Sequence, residues 1–303
     1  MSQTLVAILP VFLVIALGNI FRRTGFLPME FWAAVNRLTF NVLVPALLIS
    51  GLSRADLAGT NIGPMLVAVT VPMLGLAGLL WVLRPAMPVS GPAFTSVYQS
   101  VIRPNAYIAF AVALSLYGQT GLSAVALALA PTVPLVNLFS TAVLARHGSV
   151  PAGGSSIIRQ VARNPLVLAS LFGIGLQLAG LRLPPIVDET VAIAGQAALP
   201  LALLSVGAGL RIKAALAAGR AVLGASALRL LLMPLLTAAV AYAIGLEGMP
   251  LFIAILFNGV PAATVSYVMA REMGGDAPLM AGIITVQTAL SMLTLPVLLA
   301  LLA

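Results

Sequence analysis

The chain has no cysteine, one histidine (His147) and seven carboxylates in 303 residues. Without cysteine there is no disulfide framework and no thiolate metal site. One histidine cannot make a histidine cluster. The acids are Glu30, Asp56, Asp188, Glu189, Glu247, Glu272 and Asp276, and all fall at the ends of apolar runs or between them. With no acid in mid-span and a single histidine, the apolar runs offer no paired acids, histidine cluster or metal site in mid-membrane. The chain reads as a non-enzyme with no cofactor and no metal. Charge of either sign is scarce, at 7% of residues, against about 25% in a soluble domain.

What is present is apolar. Hydrophobic residues make up 61% of the chain, and mean hydropathy is +1.13. This composition specifies a polytopic membrane protein whose surroundings are a lipid bilayer. The net charge of +8 comes from arginines that flank apolar runs, so it does not indicate nucleic acid. A span needs about 20 apolar residues. Ten are read: 4–21, 32–52, 62–83, 93–116, 121–145, 157–179, 189–210, 218–244, 250–270 and 277–302. The first is followed by Arg22 and Arg23 and is expected to be retained as a helix, not cleaved as a signal peptide.

Basic residues set the orientation. Arg22, Arg23, Arg84, Arg146, Arg159, Arg163, Arg211, Lys213, Arg220 and Arg271 follow odd-numbered spans, whereas only Arg54 and Arg182 follow even-numbered ones. By the positive-inside rule the first set is cytoplasmic and both termini lie outside. The Ala/Arg/Gly-rich, Lys-poor usage suggests a bacterial inner membrane. A short polar loop over 147–156 divides the chain into two five-helix halves, 1–146 and 157–303.

The halves resemble each other. A shift of 157 lays "PNAYIAFAVALSLYG" (104–118) on "PAATVSYVMAREMGG" (261–275), Pro104 on Pro261 and Gly118 on Gly275. The same shift lays Gly18 on Gly175; a shift of 155 lays Pro45 on Pro200 and Ser50 on Ser205. Five spans per half make the second half inverted. The fold class expected is all-α, with ten transmembrane helices in two inverted repeats and with helices 4 and 9 broken and crossing.

Those two spans carry the candidate site. Proline removes a backbone N–H and breaks the hydrogen-bond ladder, and lipid offers the freed groups no partner. The breaks must face protein or water. Half-helices that begin near Asn105 and Ala262 direct partial positive charge at the gap, and Arg103 adds a full charge. Substrate-binding candidates are Arg103, Pro104, Asn105, Tyr107, Asn258, Pro261, Thr264, Ser266 and Tyr267. A cationic centre without an acid favours a small organic anion as partner.

Other polar residues have plainer readings. Arg229 has no acid partner in sequence and is read as snorkelling towards the cytoplasm. His147 reads as a solvated loop residue. Pro45 and Pro200 read as packing kinks. "GAG" (207–209) has no strand before it, so it is no dinucleotide fingerprint; small residues there suit close helix approach. Asn137, Gln177, Gln196 and Gln287 are buried amides within reach of a central cavity.

"FNVLVPALLIS", "RPNAYIAFAVALSLYG", "LPLALLSVGAGL" and "NGVPAATVSYVMAREMGG", the last running into "TVQTALSMLTLPVLLALL", resemble the auxin efflux carrier family. Through it the chain resembles the wider group of ten-span bile-acid and arsenite carriers. The resemblance implies a secondary carrier of an auxin-like molecule or a dicarboxylate. It also implies a scaffold of spans 1, 2, 6 and 7, a mobile bundle of the other six, an elevator-type alternating-access cycle and a possible homodimer. Sodium- or proton-coupled symport of the bile-acid-carrier type is the alternative. Many relatives have proline where this chain has Ala111 and Ser266. The breaks thus have two candidate positions: Pro104 and Pro261, or a turn or more downstream.

Overall fold

Each apolar run forms a helix, because in lipid a backbone must satisfy its own polar groups. A computed structural model describes residues 2–54, 62–149, 164–216 and 219–302. Within these residues seven helical stretches are long and apolar enough to cross a membrane. They are Leu5–Arg23, Met29–Ser53, Ile62–Ala86, Ala106–His147, Pro185–Gly209, Arg220–Ala243 and Ala277–Leu302. Shorter apolar helices occupy Pro165–Leu178 and Gly248–Gly259. The chain is an all-α membrane protein. Among the described residues there is no strand, only one isolated bridge.

The lengths depart from ten simple spans for identifiable reasons. The fourth expected span is interrupted: Gly91–Ile102 ends before Arg103, and a new helix starts at Ala106. That helix continues to His147, with one kink where Gly118 takes φ 57° and ψ −145°. The ninth is interrupted between Gly248–Gly259 and Val265–Glu272. The sixth has its expected start, with Arg159, Arg163 and most of the 147–156 seam, outside the described residues, as is Asp56. Helix 106–147 passes through Ala111 without interruption, so the breaks lie at Pro104 and beside Pro261.

Two helices widen into π turns, at Thr39–Leu43 and Leu228–Leu232. Each is followed within two residues by a proline, Pro45 or Pro234. The missing proline N–H and the ring's clash with the preceding turn are absorbed by the wider turn.

The helices pack in two groups. Helix 2–23 lies along helix 198–209, and helix 44–53 lies against 165–178 and 185–196. In the second group, helix 62–83 packs on 233–243 and 248–259, and 248–259 in turn contacts 106–147 and 277–302. The first group approaches backbone to backbone. A Cβ on Gly207 would collide with the Ile15 carbonyl, and one on Gly18 with the Leu204 backbone. The small residues of "GAG" do serve close packing. Asn19 secures the contact by donating to the Gly207 carbonyl at 3.1 Å.

Candidate functional site

The two interruptions meet. Arg103 and Asn105 are extended (φ −101°, ψ 105° and φ −80°, ψ 94°), as is Val260 (φ −68°, ψ 153°). The connectors run antiparallel, with Pro104 opposite Ala262. The Asn105 N–H donates to the Pro261 carbonyl at 2.8 Å, and the Ala263 N–H to the Arg103 carbonyl at 3.2 Å. Buried backbone groups need partners, and other side chains supply the rest. The Ala262 N–H donates to Gln287 Oε1 at 2.9 Å, and the Asn105 Oδ1 accepts from the Ile108 N–H at 3.4 Å.

A cavity of about 170 Å³ opens beside this crossing. Arg103, Pro104, Asn105, Tyr107, Thr264, Thr132, Asn137, Asn164 and Phe40 are among its walls, and among the described residues no carboxylate is. Arg103 is buried, 9% exposed. Its Nη2 donates to Asn137 Oδ1 at 2.8 Å and Ser140 Oγ at 3.2 Å, and lies 3.2 Å from Met269 Sδ. All three contacts use one nitrogen; among the described residues the buried Nε and the buried Asn105 Nδ2 have no partner. Ala106 and Tyr107 begin helix 106–147, and their N–H groups have no intrahelical acceptor. The site is thus a set of donors and partial positive charge around a small space.

Of the nine candidates, Arg103, Pro104, Asn105, Tyr107 and Thr264 line this cavity. The other four are placed elsewhere. Asn258 donates through Nδ2 to the Val69 carbonyl at 2.9 Å and to Thr237 Oγ1 at 2.8 Å, tying three helices together. Pro261 contributes its carbonyl to the crossing. Ser266 is fully buried with an unpartnered hydroxyl. Tyr267 packs against the cluster of Ala262, Ala270, Met280 and Ile284.

Several plainer readings also change. Arg229 does not snorkel. It is fully buried, and donates to the carbonyls of Val260 (2.8 Å), Val101 (3.0 Å) and Phe257 (3.2 Å). His147 ends helix 106–147 and packs edge-on against Phe94 and Trp81. Gln196 is exposed, and Gln177 borders a different hollow beside the Arg54–Asp188 ion pair (2.8 Å). Phe40, Thr132 and Asn164 escaped the sequence reading. Asn164 is a helix cap, its Oδ1 accepting from the N–H of Leu166 at 2.9 Å, and only folding brings that cap to the crossing.

A family described as "Membrane transport protein" matches residues 150–299. An uncharacterized transporter of Methanothermobacter thermautotrophicus is 27% identical over 292 residues, 95% of each chain. Auxin efflux carrier component 2 of Arabidopsis thaliana is 34% identical over 120 residues, 38% of this chain and 18% of the plant protein. Auxin efflux carrier component 3a of Oryza sativa subsp. japonica is 33% identical over 120 residues, 38% of this chain and 19% of the rice protein. The match thus spans less than a quarter of either plant relative.

Proposed function

We propose that the chain, which is similar to membrane transport proteins and to plant auxin efflux carriers, is a membrane transporter of that kind and carries a small organic anion through the crossing of its two broken helices. The observation that carries this reading is the uncompensated positive end of helix 106–147. A helix N-terminus is worth roughly half a positive charge. Here it meets the Arg103 guanidinium and the Asn105 amide, with no acid among the described residues of the cavity wall. A carboxylate placed there would satisfy all three and neutralise the excess charge.

In this reading the chain has ten spans in inverted halves, 1–146 and 157–303. The matching breaks at Pro104 and Pro261, 157 positions apart, support that repeat. The group built on helices 2–23, 44–53, 165–178 and 198–209 is the scaffold and the dimer surface. The group that carries the crossing moves against it as an elevator. The cavity includes Asn164 and Leu166 at the N-terminal end of helix 165–178, the end that Arg159 and Arg163 precede in sequence. By the positive-inside rule that side faces the cytoplasm, with both termini outside a bacterial inner membrane. An interior-negative potential then drives the anion out, with about 2.3 kcal/mol per charge per 100 mV.

Flux into and out of proteoliposomes tests the proposal. Labelled malonate, malate, indole-3-acetate and a neutral amino acid are offered with and without an imposed potential. We expect saturable, potential-driven movement of a carboxylate, weakened in Arg103→Ala through a raised KM. Transport of the neutral amino acid alone, or of no anion under any gradient by folded protein, would overturn it.

A further inference from the structure

Every broken helix has two ends, and the C-terminal ends need an explanation of their own. Helices 91–102 and 248–259 stop at the crossing, and their last carbonyls have no intrahelical partner. Each such end is worth roughly half a negative charge, so two together approach one unit of negative charge. In carriers built on interrupted helices, converging C-terminal carbonyls are where a free cation is coordinated.

Here the carbonyls converge on a side chain. The Arg229 guanidinium reaches Val101 at the end of the first helix, and Phe257 and Val260 at the end of the second, within 2.8–3.2 Å. It is fully buried and has no acid partner among the described residues. A lone buried guanidinium is expensive. Three carbonyls at the negative ends of two helices offset that expense, and the two charges are matched. The guanidinium comes from helical stretch 220–243, next to a proline-induced π turn that includes its own position.

We propose that Arg229 is a built-in counter-cation, filling the position between the half-helix C-termini that a dissociable monovalent cation would otherwise take. The crossing then holds its geometry with no sodium ion, and transport is independent of sodium. Arg229 is a positioning residue: it acts through the connectors at residues 103–105 and 260–264, not by touching the solute.

The test is a melting titration of purified protein, which needs no knowledge of the solute. Arg229→Ala is expected to melt well below wild type. Methylguanidinium should restore most of the difference saturably, with choline inert at equal ionic strength. Wild type should respond to neither, nor to sodium. In proteoliposomes the variant should lose about tenfold or more in flux, the effect of roughly 1.4 kcal/mol, and methylguanidinium should return it. Wild-type flux should be equal in sodium and choline. A variant that responds to no cation, or a wild type stabilised saturably by sodium, overturns the proposal. If Arg229→Ala does not fold, Arg229→Lys and Arg229→Met separate charge from volume: the lysine variant should melt higher. Equal melting of the two would defeat the counter-cation role. A wild type that moves no anion would sink the transport reading and leave these melting results standing.

Discussion

Arg103 and Arg229 lie in the same apolar interior, yet their surroundings predict opposite behaviour on truncation. Arg103 reaches Asn137 and Ser140 through one nitrogen and lines the cavity. Arg103→Ala should raise the KM for the anion by about tenfold or more, a loss of roughly 1.4 kcal/mol or more, with little change in melting temperature. Asn258→Ala should do the reverse. Its amide serves the Val69 carbonyl and Thr237, both away from the cavity. Its loss should cost about 1–3 kcal/mol of stability and leave KM unchanged. Flux kinetics and thermal melting of the two variants check the contrast. Arg103 was legible in the sequence because a charge in the middle of an apolar run has few explanations. Arg229 was equally visible, but its partners were not: they lie 28, 31 and 128 positions away and are carbonyls, which carry no sequence signature. Asn258 misled because its neighbour Pro261 is at the crossing. One turn of helix is enough to point a side chain at a different neighbour.

The helices repeat the lesson on a larger scale. Proline alone did not place the breaks, because Pro45 and Pro234 are absorbed by π turns and Pro72 and Pro296 sit inside continuous helices; the pairing of Pro104 with Pro261 across the two halves is what singled them out. The long helix 106–147 was not legible, since nothing in "YGQTG" says whether the chain kinks or loops there. The kink rests on Gly118, whose φ 57° and ψ −145° are reserved for glycine. Gly118→Ala should therefore cost about 1–3 kcal/mol, read as a lowered melting temperature. The pairing of helices 2–23 and 198–209 gives a second test. Gly207→Leu puts a side chain where the Ile15 carbonyl already sits, and backbone cannot give way as a flexible side chain can. The helices must separate, so the variant should be poorly folded, whereas Gly175→Leu, with open space around it, should be tolerated. Protein yield and melting after purification distinguish them.

For the whole molecule, the bias of arginines predicts which side each loop faces. The absence of cysteine makes that directly measurable. Ser149 and Arg182 are both exposed and lie at opposite ends of the expected sixth span. In intact cells a membrane-impermeant thiol reagent should label Arg182→Cys, and label Ser149→Cys only after permeabilisation. The opposite pattern would invert the protein and turn the proposed exporter's inward cavity outward. That the chain is an all-α membrane protein was readable from composition because a bilayer admits so few alternatives. The partition into two packed groups depends on which faces of similar helices meet, and apolar sequences of near-uniform greasiness do not encode that locally.

The join between the broken helices has a consequence for how such a protein changes over generations. Its two direct hydrogen bonds, from Asn105 to Pro261 and from Ala263 to Arg103, run between main-chain atoms. Exchanging a side chain that lines the cavity removes neither their donors nor their acceptors. Tyr107, Thr132, Asn137 and Thr264 can therefore be exchanged around a joint that stays shut. The preference for one solute over another is free to drift at these positions, while the hinge beneath them is inherited unchanged.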